Sequence, residues 1–485
     1  MSLMYIRILF IDVYMLDFYT INVNNINMKY DTIVIGFGKC GKTIAPFLAK
    51  NGEKVALIEK DKSMYGGTCI NVGCIPTKSL FKSSQIYLRM IKSLPDPAFY
   101  YKKAVEEKNN LVLSLRNASY EKLVYGSSVD FLEGNAIFIG NHEIRLTRTT
   151  GEVEELEADK IIVDVGSKNF IPPIKGLGKD YIANPHVYYS DSISDLSVLP
   201  QKIVIIGSSY VGLEYANIFC NFGSDVTILS SETKFMPRED IEVSSFVLDD
   251  FASRGIKWLK KTVIQNIEND MVNFIDKKGN SKSIRADAIL VAAGRRPNLN
   301  GLGLENTNIK FNELGNVVVN EHLESSLKGV YFVGDCNGGP QFSFISLDDS
   351  RILKSHFSGD NSYTLNERSF FPYTVYMTPS FSRIGLTEKE ALRKKYDIMV
   401  ATLLGSTILK AKVLGNPRGL LKVVIDKKTN LILGVSLYCE ESYEMINLFK
   451  MAMDNKIPYT YLRDNIYTHP TMTEALNDLF NNIRR

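Results

Sequence analysis

Cysteine is scarce, tryptophan occurs once and the charges nearly cancel in this 485-residue chain: six Cys, one Trp, and 57 Lys and Arg against 54 Asp and Glu. Six cysteines in so long a chain do not make the stapled framework of a small secreted domain; they point to a reducing, cytoplasmic setting. A net charge of +3, with no long run of either sign, gives no support to nucleic-acid binding. No run approaches the ~20 apolar residues that span a bilayer. Residues 1–19 are apolar, but Arg7, Asp12 and Asp17 interrupt them and no clean cleavage site follows. Met28 directly precedes the first strand pattern, so residues 1–27 are read as a dispensable extension, with a weak peripheral membrane contact as the alternative. His142, His186, His322 and His356 lack ligand spacing, and no metal is expected.

What is present is length and alternation. The chain is too long for one ordinary core, so two to four domains are expected. Strand and helix patterns alternate from residue 30 to about 300, the mark of α/β units with parallel sheets. Two segments share one layout. A strand over 31–35 leads into Gly36-Phe37-Gly38-Lys39-Cys40-Gly41, a helix, and a strand over 55–58 ending at Glu59. A strand over 202–206 leads into Gly207-Ser208-Ser209-Tyr210-Val211-Gly212, a helix, and a strand over 225–229. After Phe370 the texture becomes α+β, with strands over 419–425 and 431–438, then helices over 441–454 and 473–483.

In the first cluster Gly36 permits the tight turn, Gly38 lets backbone approach a pyrophosphate and Gly41 lets the helix pack on the strand. The helix N-terminus then faces the phosphates, and Glu59 stands where a carboxylate accepts hydrogen bonds from a ribose. A glycine turn alone is an ordinary loop; strand, glycines, helix, strand and acid in order make a dinucleotide site. The segment Gly66-Gly67-Thr68-Cys69-Ile70-Asn71-Val72-Gly73-Cys74-Ile75-Pro76-Thr77-Lys78 holds the one local cysteine pair. Residues five apart on a regular helix rise by about 7.5 Å, whereas a disulfide needs Cα atoms within about 6.8 Å. A bridge therefore requires a distorted turn, for which Gly73 gives freedom, and strained, accessible bridges tend to be the labile ones. Spacing alone leaves a pair of buried free thiols equally open.

The whole segment resembles the redox signature of the pyridine-nucleotide disulfide reductases, and the resemblance runs from Met28 to Asn482. It implies two Rossmann-like dinucleotide-binding domains plus a C-terminal α+β dimerisation domain: FAD-binding over 28–170, NAD(P)H-binding over 171–296, a central domain completing the FAD site over 297–362, and a dimer interface over 363–485. It implies that Cys69 is the interchange thiol that attacks substrate, that Cys74 is the charge-transfer thiol against the flavin, and that Lys78 pairs with Glu214 near flavin N5. Gly67 and Thr68 join the FAD-facing set. Ala136 belongs to Gly134-Asn135-Ala136, similar to the segment passing the adenine. Val163-Asp164-Val165-Gly166 stands where the family usually has Ala-Thr-Gly, so only Gly166 carries over. Gly294 lies in the motif that closes the NAD(P)H domain, and Asp335, in Tyr331-Phe332-Val333-Gly334-Asp335, is the expected partner of the ribitol hydroxyls. Thr468-His469-Pro470-Thr471-Met472-Thr473-Glu474 resembles the histidine–glutamate motif: His469 handles the interchange thiol's proton, Glu474 orients it, and a homodimer with shared active sites is implied.

Departures bear on specificity. In the second cluster Gly207 and Gly212 are kept, Ser209 replaces the middle glycine, and Tyr210 matches the tyrosine covering the nicotinamide pocket. Ser230 stands where NADH-preferring relatives have an acid; without that charge a 2′-phosphate is not repelled, and Ser231 or Lys234 could bind it, so NADPH is favoured over NADH. No C-terminal cysteine pair is present, in contrast to mercuric reductases. Segments 342–349, 376–383 and 463–470, with 444–447 and 476–480, resemble the reactive-chlorine-resistance branch, the bacterial hypothiocyanous acid reductases. The expected substrate is that small oxidant; dihydrolipoamide dehydrogenase and mercuric-reductase-like activity are the alternatives.

Overall fold

Short runs of Val, Ile and Leu that are apolar on both sides, such as Lys202–Ile206, Asp225–Leu229 and Ala288–Val291, form strands buried on both faces, as parallel strands covered by helices must be. The computed structural model describes residues 28–90, 96–178 and 184–484; the 1–27 extension lies outside the described residues. The first unit centres on Met28–Ile35, flanked in parallel by Val55–Glu59 and Val153–Val163. Asp130–Phe138 pairs with Val55–Glu59 through its first half and with Glu143–Arg148 through its second, so an antiparallel extension grows from the parallel sheet. Val330–Phe332 joins the far edge beside Ile161–Val163, returning a distant segment to the first sheet.

The second unit is a five-stranded parallel sheet in the order Lys257–Leu259, Asp225–Leu229, Lys202–Ile206, Ala288–Val291, Val187–Tyr189. A three-stranded antiparallel sheet over Val263–Arg285 follows the edge strand Lys257–Leu259 in the chain. The C-terminal part is an antiparallel six-stranded sheet covered by Ser442–Asp454 and Ala475–Asn481. The helix expected over 473–483 is shorter: Ile483–Arg484 pairs as a strand with Val400 and Ala401, so the tail closes a sheet edge. The first strand likewise starts three residues before the expected 31, because Met28 to Tyr30 find partners in Leu156 to Ala158.

The contact that positions the site is between helices of different units. Cys74–Met90 packs on Tyr210–Asn221 through Leu80, Phe81 and Tyr87 against Leu213, Phe219 and the Phe222 that ends the helix. On each helix residues four apart share a face, so Cys74 and Lys78 align along one, Tyr210 and Glu214 along the other.

Candidate functional site

The two glycine turns repeat one backbone solution. Gly36 and Gly207 take φ of +105° and +107°; a Cβ on Gly36 would lie 2.4 Å from the Asp164 carbonyl oxygen, and one on Gly207 2.5 Å from that of Ala292. Both positions need glycine for conformation and for closeness. Gly41 and Gly212 press on the carbonyls of Gly36 and Gly207, at 2.7 and 2.5 Å from a built Cβ. Ser209 turns its hydroxyl away to donate to Ala292 O at 3.1 Å.

Helix Thr68–Asn71 stops at Val72, and Cys74 opens the next helix, so the two thiols flank a break in the chain. Gly73 serves this break through close approach, since a Cβ would sit 3.0 Å from Thr68 O; its φ is ordinary, so the expected conformational freedom is not what it supplies. Cys69 is half-buried and Cys74 is open to the cavity. Cys69 is drawn down to about 6, first by a hydrogen bond from Cys74, with burial opposing and Ser343, Lys42 and Lys78 assisting. The same bond and burial push Cys74 up. The pair therefore loses one proton readily and holds the second, behaviour that belongs to the pair as a whole.

Lys78 Nζ donates to both oxygens of Glu214 at 2.8 Å. Glu214 Oε1 also accepts the Tyr376 backbone N–H at 2.9 Å, and the ammonium lies 4.9 Å over the Tyr376 ring. Burial works against the Lys78 charge, but Glu214 outweighs it and the pKa is raised, so a fixed positive charge stands beside the thiols.

These groups share one cavity of about 2570 Å³, lined by Gly36, Gly38, Glu59, Gly67, Thr68, Ala136, Gly166, Ser209, Tyr210, Gly294 and Asp335 as well as the thiols, Lys78 and Glu214. Ordinary ligand pockets are about 300–1,000 Å³, so the space suits more than one small ligand. Glu59 accepts the Phe37 N–H at 3.0 Å at the end of its strand. Asp335 accepts from Ser167 at 2.6 Å, and burial raises its pKa. The glycine turn, where a Cβ at Gly36 would meet backbone, and the Glu59 and Asp335 carboxylates on the cavity wall fit FAD.

Gly41, Gly207 and Gly212 serve the turns without lining the cavity, and Ser230, His469 and Glu474 lie elsewhere. Ser230 is buried at 2% exposure with its hydroxyl on Ser208 at 2.8 Å, while Ser231 and Lys234 are exposed. His469 Nδ1 bonds Glu474 Oε2 at 2.8 Å, but both sit on the dimerisation part and neither lines the cavity. Two further residues reach the site: the Ser343 hydroxyl lies 3.6 Å from Cys74 Sγ across 269 positions, and Asp164 stands at the first glycine turn. No local pattern marks Ser343.

Residues 30–348 match the pyridine nucleotide-disulphide oxidoreductase family and residues 371–480 the dimerisation domain of the same family. The chain is 40% identical to the probable pyridine nucleotide-disulfide oxidoreductase RclA of Escherichia coli (strain K12), covering 94% of this chain and 100% of that protein. A mercuric reductase of Staphylococcus aureus is 27% identical (92% and 81% covered), and a dihydrolipoyl dehydrogenase of Bacillus subtilis 28% identical (93% and 97%). Among solved structures, the Cu(II) complex of the HOCl-induced flavoprotein disulfide reductase RclA from Escherichia coli superposes with a TM-score of 0.87 at 40% identity, covering 93% of this chain and 99% of that one. Among the described residues no helix is long and apolar enough to cross a membrane.

Proposed function

Because the chain belongs to the pyridine nucleotide-disulphide oxidoreductase family, and so is a flavoprotein oxidoreductase using FAD and NAD(P)H, we propose that it reduces hypothiocyanous acid to thiocyanate at the Cys69–Cys74 pair. One observation carries the reading: a thiol drawn down to about 6 beside its partner thiol, at a helix break on the wall of the cavity that also holds Lys78. A thiolate is the nucleophile that an electrophilic sulfur demands. The choice of oxidant rests on the branch-like segments of the chain and on its identity to the Escherichia coli protein, whose structure is described as HOCl-induced.

Bound at this site, FAD would supply the two-electron relay from NAD(P)H to the Cys69–Cys74 disulfide. The reduced chain then works through its own groups. The Cys69 thiolate attacks the sulfur of hypothiocyanous acid, an S–S bond forms, and hydroxide leaves to become water. Cys74 next attacks Cys69, displacing thiocyanate and closing the disulfide. The balance is NAD(P)H plus hypothiocyanous acid to NAD(P)⁺, thiocyanate and water. Lys78, held by Glu214, keeps positive charge where the electron pair arrives, and the Ser343 hydroxyl steadies the thiols. Proton transfer falls to the partner subunit's His469, oriented by its own Glu474, since within one chain that pair lies away from the cavity. In this division residues 28–170 and 297–362 hold FAD, 171–296 hold NAD(P)H, and 363–485 make the homodimer. The neutral Ser230 leaves NADPH favoured over NADH.

The test follows NADPH and NADH consumption with hypothiocyanous acid, lipoamide, glutathione disulfide and mercuric ion. Hypothiocyanous acid is expected to be turned over fastest. Efficient lipoamide turnover with none on hypothiocyanous acid moves the assignment to dihydrolipoamide dehydrogenase, and preferential consumption with mercuric ion moves it to a mercuric reductase.

A further inference from the structure

Asp164 follows the strand Val153–Val163 into the first glycine turn and is buried; among the described residues no ion pair holds it. Its Oδ2 accepts the Gly41 backbone N–H at 2.7 Å, so the carboxyl sits at the N-terminus of the helix Gly41–Lys50. It also fills the space over Gly38: a Cβ there would lie 2.4 Å from Oδ2 and 2.8 Å from Oδ1. That is the ground a dinucleotide diphosphate needs in this fold.

The groups facing it offer little to balance a charge. Helix Ser343–Phe357 brings Asp349 and the Ser346 hydroxyl, the turn Gly334–Asn337 brings Asp335 and Cys336, and the glycine turn brings Cys40. Arg368 is spent on Asp348 and Asp349, and Arg295 on Ser167 and Asn169. Lys354 lies over the Phe47 ring at 5.3 Å, and Lys42 donates to Gly66 O at 3.0 Å. Burial first, then Asp349 and Asp335, push the carboxyl well above the usual carboxylate range against the opposing amides of Gly41 and Cys40. A neutral carboxyl keeps one O–H to donate, which an ionised one lacks.

We propose that Asp164 is a flavin-retention residue: as the neutral acid it donates a hydrogen bond to a diphosphate oxygen of FAD beside Gly38, and loss of that one proton to solvent sets two anions against each other and loosens the flavin. The inference rests on FAD lying against the first glycine turn. Asp164→Asn keeps the shape and a donor but cannot ionise.

The experiment measures FAD affinity of the full-length holoprotein and of Asp164→Asn by ultrafiltration and recovered flavin fluorescence, from about pH 7 to about pH 10, with circular dichroism checking the fold at each point. Lys42, lowered to about 8 first by burial and then by Lys39, titrates in the same range and feels Asp164, so both proteins are also compared in a Lys42→Met background, where the same difference is expected. The wild type is expected to lose affinity with rising pH by about tenfold more than Asp164→Asn, a factor set by the exchange of one donor for one charge. Coincident pH curves overturn the proposal. If Asp164→Asn does not fold, Asp164→Thr takes its place under the same criterion. Wild-type protein that is folded and colourless sinks the FAD reading itself, and the proposal with it; yellow protein with coincident curves sinks the Asp164 assignment alone.

Discussion

Replacing Cys74 by alanine is expected to raise the pH at which Cys69 becomes reactive. The chief cause of the low Cys69 value is the hydrogen bond from Cys74, against an ordinary thiol value of 9.0. A hydrogen bond to a charged group contributes about 1.5–3 kcal/mol, and 1.36 kcal/mol corresponds to one pH unit, so the midpoint should climb by about one to two pH units. The rate at a single pH is a poor readout. At pH 7 a thiol titrating at about 6 is roughly nine-tenths thiolate, against roughly one-hundredth for one titrating at about 9. The weaker base, however, is about 20-fold less nucleophilic by a Brønsted slope of about 0.4–0.5, which removes most of that advantage. The assay is therefore the midpoint of iodoacetamide alkylation against pH in the reduced protein, with Cys69 modification followed by peptide mass spectrometry. Wild type should titrate near 6 and Cys74→Ala well above it, while Ser343→Ala moves the midpoint less, being a lesser cause. A Cys74→Ala midpoint within about 0.3 pH units of wild type would refute the shared-proton account.

Cys74→Ser should stall with a persistent Cys69–thiocyanate adduct visible by intact mass, and full turnover by this variant rules out the two-thiol mechanism. Mixing a Cys69→Ser chain with a His469→Ala chain should restore activity through mixed dimers that carry one intact composite site; mixed dimers as inactive as either parent speak against shared sites. Glu214→Gln leaves the Lys78 ammonium without its carboxylate. Breaking a fully buried pair costs about 3–5 kcal/mol, and because Lys78 keeps 30% side-chain exposure roughly half of that is expected in urea unfolding, with Lys78→Met/Glu214→Gln recovering part of it. Gly38→Ala places a Cβ 2.4 Å from Asp164 Oδ2 and should yield folded protein with little flavin absorbance; a fully yellow variant contradicts the cradle.

Glycine positions, the cysteine segment and the alternation of strands with helices were legible because each states a local backbone demand. Gly36 and Gly207 announce a positive φ and a carbonyl pressed against them, and that demand is met within a few residues of the motif. The C-terminal end shows where local pattern stops: residues 473–483 carry helical periodicity, yet Ile483 and Arg484 become a strand because Val400 and Ala401 offer an edge to pair with. Periodicity describes a segment's faces and cannot name its partner.

By itself, then, the sequence determined the two glycine turns, the closeness of Cys69 to Cys74 and the family's class of chemistry, all carried by residues close together along the chain. The tertiary structure alone decided that Lys78 meets Glu214 across 136 positions, that Ser343 reaches Cys74 across 269, and that Asp164 enters the first glycine turn across 123. It also decided that Ser230, open by its place at a strand end, is buried on Ser208. The physical reason is one of range. A missing Cβ or a helix break acts on the backbone where it stands, whereas an ion pair, a thiol's hydrogen-bond partner or a buried acid's neighbours depend on helix packing and sheet register between units far apart in the chain.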